Sequence, residues 1–463
     1  MKNIRPFGFR DKLGYLFGDF GNDFTFILST VLLMKFYTDV MGVSASAVGT
    51  VIMLARFVDA FTDVAMGRIC DGAKARRSGK FKPWILRMCI PVAISSFLIY
   101  QNSLADHPTW FKIVYLFVTY ILWGSVFYTS INIPYGSMAS AISADSGDRQ
   151  SLSTYRTMGG MLAGVLIGVL LPLIAFEEIN SKQVLVGRRV TVAAGVFSLL
   201  AVICHLLCYF LVSEREYYKA ELGKRKSTVG MLLSAVKNRA LWSLVAASVV
   251  MLLAQFTMQN MAAYVFPDYY GSTAAQAASN IFMLGGMSIA AAVSKPLSIK
   301  LGKAEISATA SVFAAIVCLV MYLLRPQNVW IYVILQTLCW LGLGIFAMVN
   351  WALVTDVIDY SEIESGVRED GSIYAVYSFA RKLGQALAAG ASGWLLTVIG
   401  YSESAASSGQ AQTKVVLDGI YNISTLVPAI GFTLLALVLW LWYPLKKRRV
   451  EENISKLKGL KGE

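Results

Sequence analysis

Two apolar segments near the start of the chain contain acidic residues at helical spacing. In the stretch ARFVDAFTD, Arg56, Asp59 and Asp63 follow one another at i, i+3 and i+7, which places them on one face of a helix. In the stretch FGDFGNDF, Asp19 and Asp23 are four residues apart and share a face in the same way. A charged residue at the centre of a bilayer costs at least about 2.5–3.5 kcal/mol, so charges here are typical of an ion or substrate pathway.

Carboxylates on two consecutive helices offer two kinds of chemistry. Together with the hydroxyls of Thr62 and Thr129 they supply the oxygen ligands that a hard cation such as Na⁺ prefers. Alternatively, one carboxyl whose pKa is raised by burial could carry a proton. A third interpretation is purely structural, in which Arg56 and Asp59 form an ion pair that holds helices together.

The composition indicates the elements that must position these charges. Of the 463 residues, 56% are hydrophobic and 15% charged, and the mean hydropathy is +0.58, whereas a soluble domain carries about 25% charged residues. Each apolar run is near or above the roughly 20 residues that a bilayer requires. The sequence therefore predicts twelve spans, at about 13–38, 44–69, 83–101, 111–141, 153–176, 190–212, 240–265, 274–298, 305–324, 329–354, 372–399 and 415–443.

The distribution of basic residues predicts the orientation. An even number of spans puts both termini on one side, and most of the 41 Lys and Arg residues fall in the tails and connections of that side. We expect a multi-pass protein of the bacterial cytoplasmic membrane with both termini in the cytoplasm. The net charge of +13 then reflects orientation and contact with anionic lipid, not binding of nucleic acid.

The longest polar interval divides the spans six and six. The predicted organisation is a six-helix bundle over 1–212, a cytoplasmic loop over 213–239, a second six-helix bundle over 240–445 and a cytoplasmic basic tail over 446–463. Such a division is typical of transporters whose substrate site lies between two related bundles.

Enzyme chemistry finds little support in the sequence. No Ser/His/Asp constellation and no set of metal ligands is apparent, and of the two histidines His107 lies in an outer loop and His205 within a span. All six cysteines lie in or at the ends of apolar spans, so we expect no disulfide. We predict no enzymatic activity, no cofactor and no metal beyond a coupling cation.

Five motifs occur in order along the chain. They are LGYLFGDFGNDF with KFYTDVMGVSASAVGT, ARFVDAFTDVAMGRICD with GKFKPWIL, YTSINIPYGSM, RQSLSTYR and DVIDYSEIESGVREDGSIYAVYSFARK. On these motifs the chain resembles the glycoside-pentoside-hexuronide:cation symporter family, which contains melibiose permease and lies within the major facilitator superfamily. The resemblance covers almost the whole chain. It implies an all-α membrane protein with twelve transmembrane helices in two six-helix bundles.

The resemblance assigns a coupling cation to the second and fourth spans. The two acids that serve the cation in the family match Asp59 and Asp63, and the assisting threonine matches Thr129. The position between the acids that contributes to cation choice is Thr62 here. Whether the cation is Na⁺, H⁺ or Li⁺ stays open.

The same resemblance implies a sugar pocket. Its residues by motif position are Asp23, Asn22, Arg156 and Lys382. Tyr128 and Tyr377 lie about one helical turn from Asn132 and Lys382, so their rings are expected to stack on a sugar.

Two positions of the fourth span depart from the galactoside-transporting pattern. The second sugar-binding aspartate of that pattern is replaced by Asn132, and the stacking tryptophan four residues later by Gly136. The loss of a carboxylate accommodates an acidic substrate, with Arg156, Arg381 or Lys382 as counter-charge. Because the retained Asp23 would repel such a substrate, the sequence alone slightly favours a neutral pentoside or hexoside.

Four charged residues are candidates for gating. Asp71 lies in the loop after the second span, Arg149 in the loop after the fourth, and Asp356 and Asp359 in an acidic segment after the tenth. We expect the acidic segment to pair with basic loops of the first half and to hold the cytoplasmic side shut. The alternative is a solvated acidic loop without a partner.

These observations predict a symporter that couples inward movement of a monovalent cation to uptake of a glycoside, pentoside or hexuronide by alternating access. The expected partners are the sugar, the cation and membrane lipid, and a monomer is expected. The alternatives are a transporter of lysolipids or other amphiphiles from the same superfamily and a sugar sensor that does not transport.

Overall fold

The computed structural model describes residues 5–73, 78–143, 145–179, 182–215, 238–365 and 370–461. We number its helices in chain order. They are α1 (Phe9–Asp39), α2 (Ala45–Gly72), α3 (Lys82–Ile99), α4 (Thr109–Ile121), α5 (Thr129–Ile142), α6 (Ser146–Ala175), α7 (Gly187–Leu211), α8 (Arg239–Tyr264), α9 (Thr273–Leu301), α10 (Lys303–Leu324), α11 (Val329–Ser365), α12 (Asp370–Val398), α13 (Glu403–Ser407), α14 (Lys414–Leu437) and α15 (Lys447–Lys461).

The prediction of an all-helical membrane protein with twelve spans is confirmed. Eleven helical segments in the described residues are long and apolar enough to cross a bilayer. The remaining span is α12, which has 29 residues. In the fourth span a π-helical segment, Leu122–Tyr128, joins α4 to α5, and two further π-helical segments, Val265–Tyr269 and Val438–Trp442, follow α8 and α14.

Some short elements have no counterpart in the sequence-based prediction. The connection between α6 and α7 is an antiparallel hairpin of β1 (Phe176–Ile179) and β2 (Lys182–Leu185), in which Phe176 pairs with Leu185. A single 3₁₀ turn, Asn102–Leu104, precedes α4. The predicted basic tail contains a helix, α15.

The chain forms two compact units, which do not follow a single cut along the sequence. The first unit contains residues 1–221 with 266–280 and 393–416, and the second contains 222–265, 281–392 and 417–463. The six-and-six division predicted from the sequence, with its boundaries at 212, 239 and 445, stays a prediction.

In the first unit α1 packs closely against its neighbours because glycine leaves room for their backbones. A Cβ atom added to Gly159 of α6 would collide with the backbone of Leu16, and one added to Gly18 would collide with the ring of Tyr135. Tyr135 stacks on Tyr15 with ring centroids 4.6 Å apart, and its hydroxyl donates to the Tyr15 carbonyl at 2.6 Å. This packing fixes α1, which contributes several candidate site residues.

In the second unit α10 and α11 pack through small residues. A Cβ atom added to Gly342 would lie 2.7 Å from the backbone oxygen of Ala310, so glycine permits the close approach. Ala290, Ile306 and Ile345 join Ala310 in a buried apolar cluster. The unit thereby has a core of its own.

Candidate functional site

Asp59 and Asp63 each receive a hydroxyl from the fourth span. The Ser125 hydroxyl donates to Asp59 Oδ1, and the Thr129 hydroxyl donates to Asp63 Oδ1 at 2.7 Å. Asp59, Ser125 and Thr129 are buried. Two carboxylates and two hydroxyls in successive turns make an oxygen-rich site that can bind a desolvated cation.

Arg56 and Thr62, which the sequence also places near these acids, contact Asp59 in different ways. The Arg56 guanidinium lies 3.7 Å from Asp59 Oδ2 and 5.0 Å from the centre of the Phe26 ring. A charge on the aromatic face is attracted by the ring, so Arg56 can remain in place when Asp59 binds another cation. The Thr62 hydroxyl donates to the backbone oxygen of Asp59 at 3.2 Å. Its assignment as a cation ligand stays a prediction.

The π-helical segment Leu122–Tyr128 explains how Ser125 reaches Asp59. A π-helix inserts an extra residue into a turn and is frequent at functional sites. Gly124 lies directly beside the carboxylate, since a Cβ atom added to it would be 3.4 Å from Asp59 Oδ1. The sequence analysis missed Ser125 because α-helical spacing alone does not reveal this insertion.

The acids of α1 meet α6 at Arg156 and Gly160. Arg156 Nε donates to Asp19 Oδ1 at 3.0 Å. A Cβ atom added to Gly160 would lie 2.6 Å from Asp23 Oδ2 and 3.2 Å from Asp19 Oδ2. The structure therefore brings Asp23 and Arg156 to one face of α6, while the direct partner of the arginine is Asp19.

Asn22 and Asn132 form a chain of hydrogen bonds that ends at a buried histidine. Asn22 Nδ2 donates to Asn132 Oδ1 at 3.4 Å, and Asn22 Oδ1 lies 3.1 Å from Nε2 of His205. Asn22 and His205 are each 1% exposed. Sequence analysis dismissed histidine chemistry and therefore missed this support for the predicted sugar residues.

Aromatic rings border the same region. Tyr128 stacks on Phe26 with centroids 5.8 Å apart and lies 5.6 Å from the ring of Trp123. An apolar ring wall beside carboxylates and amides is the composition that sugar sites use, because C–H faces stack while hydroxyls form hydrogen bonds.

The remaining predicted sugar residues belong to the second unit. The Tyr377 hydroxyl is buried and donates to Asn350 Oδ1 at 2.5 Å. Lys382 is half-buried in α12. Their assignment to a sugar pocket stays a prediction.

The predicted gating residues are distributed over both units. Asp356 is buried and accepts from Lys303 Nζ of the same unit at 2.6 Å, and Asp359 is half-buried one turn further along α11. Arg149 is exposed near the start of α6, and the side chain of Asp71 lies outside the described part of the structure. The pairing of these residues across the two halves stays a prediction.

A buried network that the sequence analysis missed joins the end of α1 to later parts of the first unit. Lys35 Nζ lies 2.8 Å from Asp39 Oδ2 and 2.5 Å from Asp268 Oδ2. The Tyr401 hydroxyl donates to Asp39 Oδ1 at 2.7 Å. We call these four residues the Lys35 network. Lys35 and Asp39 sit at i and i+4 near the end of a span, and that spacing was the one available signal.

Neighbouring contacts join the same parts of the first unit. Glu403 Oε1 accepts from the backbone N–H of Ala45 at 3.0 Å, and the hydroxyl of Thr397 accepts from that of Ser46 at 2.9 Å. Both contacts satisfy backbone N–H groups in the first turn of α2, which have no acceptor within the helix. The end of α1 and the start of α2 are thus held to residues 393–416 by charge and by hydrogen bonds.

Comparisons with known proteins agree with these observations. The family model described as MFS/sugar transport protein matches residues 14–447. The chain is 32% identical over 452 residues to the uncharacterized symporter YjmB of Bacillus subtilis (strain 168), which covers 97% of this chain and 95% of that protein. It is 29% identical over 456 residues to the glucuronide carrier protein homolog of Escherichia coli (strain K12), covering 98% and 96%.

A solved structure supports the fold. The crystal structure of a D-xylose-proton symporter superposes with a TM-score of 0.60 at 14% sequence identity, covering 94% of this chain and 96% of that chain. At such identity the likeness concerns the fold alone.

Proposed function

Because the chain belongs to the MFS/sugar transport protein family, whose members are transporters and not enzymes, we propose that it is a secondary symporter. It couples inward movement of a monovalent cation, Na⁺ or H⁺, to uptake of a glycoside, pentoside or hexuronide. It works as a monomer in the bacterial cytoplasmic membrane, with both termini in the cytoplasm.

One observation carries the coupling proposal. Asp59 and Asp63 lie within the membrane-spanning part of α2, and each accepts a hydrogen bond from a hydroxyl of the fourth span. A structural ion pair between Arg56 and Asp59 would not require the second acid or either hydroxyl. Acids inside a membrane are rare and mark ion pathways, so this site is assigned to the coupling cation.

The proposed order of events follows from the connections of this site. The cation binds Asp59 and Asp63 and displaces the hydrogen bonds that Ser125 and Thr129 donate to them. The two hydroxyls keep their hydrogens and turn their oxygens toward the cation, which fixes α2 against the fourth span. Asn132, one turn further along that span from Tyr128, then meets Asn22 of α1 in a defined position. Sugar hydroxyls bind Asp23, and the occupied site permits the change between outward-open and inward-open states.

Uptake into proteoliposomes tests the proposal. With an inward Na⁺ gradient or an inward pH gradient, wild-type protein is expected to concentrate sugar above the external level. Asp59→Cys is expected to lose stimulation by the cation and to retain downhill exchange, whereas Asp23→Ala loses sugar binding. An Asp59→Cys protein that concentrates sugar as well as wild type would contradict the assignment of Asp59.

A further inference from the structure

One face of α5 has a gap that an arginine approaches. Asn132 and Gly136 are four residues apart and lie one turn apart on this face. A Cβ atom added to Gly136 would lie 3.6 Å from Arg156 Nη1. The guanidinium therefore reaches the part of the face that glycine leaves uncovered.

Arg156 retains the geometry needed to bind an anion. A guanidinium has five N–H donors. Arg156 uses Nε for its bond to Asp19 at 3.0 Å and a further donor for the Tyr15 hydroxyl. Its side chain is 39% exposed. Parallel N–H groups of a guanidinium match the two oxygens of a carboxylate, and such bonds are stronger than those between neutral groups.

The hydrogen-bonded chain of His205, Asn22 and Asn132 determines whether the nitrogen or the oxygen of the Asn132 amide is available to a ligand. When Nε2 of His205 carries the proton, it donates to Asn22 Oδ1, and Asn22 Nδ2 then donates to Asn132 Oδ1. The Asn132 amide nitrogen is thereby left as the group to meet a ligand. His205 thus acts as a positioning residue that makes Asn132 a donor.

The opposite direction of this chain is unfavourable. It would place the proton on Nδ1 of His205, which is buried and whose contact with the backbone carbonyl of Ala201 falls short of hydrogen-bond geometry. Buried N–H groups without an acceptor are rarer than buried acceptors without a donor. We therefore assign the proton to Nε2.

Resting on the proposed sugar symport, we propose that the substrate is a hexuronide whose carboxylate binds between Asn132 and Arg156. Asp23 lies against Gly160, one turn of α6 beyond Arg156. The sugar hydroxyls and the carboxylate thus have separate places on α6. The salt bridge of Arg156 with Asp19 holds the guanidinium in position for the carboxylate.

Matched sugar pairs test this inference. Methyl β-D-glucuronide and methyl β-D-glucoside differ only at C6, as do methyl β-D-galacturonide and methyl β-D-galactoside. Dissociation constants are measured by titration calorimetry of purified protein in saturating Na⁺ and at low pH, and counterflow of the same sugars into proteoliposomes is measured in parallel. In at least one pair wild type is expected to bind the uronide at least about tenfold more tightly.

Three variants separate the roles of the residues. Asn132→Asp places a carboxylate opposite the substrate carboxylate, so the preference for the uronide is expected to fall to about onefold or to reverse. His205→Leu is expected to weaken the preference. His205→Gln retains it, because the glutamine amide nitrogen can donate to Asn22 in place of Nε2. A merely structural role of His205 would change both members of a pair equally and would overturn its assignment.

The outcomes distinguish this inference from the symport on which it rests. Wild-type protein that takes up the neutral glycosides, or methyl β-D-xyloside, as well as or better than the uronides overturns the hexuronide assignment and leaves symport standing. If none of the five sugars shows cation-dependent counterflow, the result contradicts both the hexuronide assignment and the proposed symport.

Discussion

Replacement of Lys35 by methionine tests whether the buried charges at the end of α1 hold the first unit together. Lys35 is 1% exposed, and its two carboxylate partners have side chains that are 9% and 14% exposed. Removal of the lysine leaves Asp39 and Asp268 buried without their cation. Such a loss is expected to cost about 3–5 kcal/mol.

The assay is thermal unfolding in detergent. Unfolding is monitored by the reaction of a fluorescent maleimide with cysteines that are buried in the folded protein. At about 2 °C per kcal/mol for a large chain, Lys35→Met is expected to lower the unfolding temperature by about 6–10 °C. The triple variant Lys35→Met, Asp39→Asn, Asp268→Asn removes the stranded charges as well. It is expected to recover most of the loss, because the cost comes mainly from unpaired buried charge.

A matched control uses an exposed ion pair of the same unit. Arg189 and Glu177 lie 2.8 Å apart, but their side chains are 44% and 48% exposed. Glu177→Gln is therefore expected to change the stability by less than about 1 kcal/mol. If Lys35→Met shifts the unfolding temperature no more than Glu177→Gln, or if the triple variant is less stable than the single one, the reasoning about the Lys35 network is wrong.

Three further predictions concern the site and its support. Gly160→Ala would bring a methyl group within 2.6 Å of Asp23 Oδ2 and is expected to weaken sugar binding at least about tenfold, whereas Gly164→Ala meets only Ile27 at 3.7 Å and should change calorimetric affinity less than about twofold; equal effects would contradict the placement of Asp23. Ser125→Ala and Thr129→Val each remove a hydroxyl from a carboxylate and should raise the cation concentration for half-maximal uptake about tenfold, while the exposed Thr154→Val should leave it unchanged; no change in either site variant would count against the cation site. The Glu214 carboxylate accepts from the backbone N–H groups of Lys80, Phe81 and Lys82 at the start of α3. Glu214→Gln replaces this carboxylate by a neutral amide and should lower the free energy of unfolding by about 1 kcal/mol, measured by thermal unfolding; an unchanged unfolding temperature would argue against this cap.

The sequence predicted the spans well because a bilayer imposes length and apolarity on each helix separately. It also placed Asp59 and Asp63 on one helix face, since α-helical periodicity holds within α2. It did not place Ser125, because the π-helical segment changes which residues of the fourth span face α2. An extra residue in one helical turn cannot be recognised from the hydropathy pattern.

The sequence also did not predict contacts between residues that lie far apart along the chain. Lys35 and Asp268 are 233 positions apart, and His205 and Asn22 are 183 positions apart. The spacing of Lys35 and Asp39 marks one pair within α1, but no local pattern links either pair of distant residues, and only the packing of several helices shows that they meet. The motifs identified candidate substrate residues, whereas the structure shows which neighbours hold Arg156, Asn22 and Asn132 in place.

Reciprocal binding measurements test cation coupling most directly. In a symporter the factor by which the cation tightens sugar binding equals the factor by which the sugar tightens cation binding. Titration calorimetry of wild-type protein is expected to give the same factor, well above one, in both directions for either Na⁺ or H⁺, and Asp59→Asn is expected to reduce it to one. A sugar affinity that is identical with and without every cation tested, in wild-type protein that binds the sugar, would contradict the account.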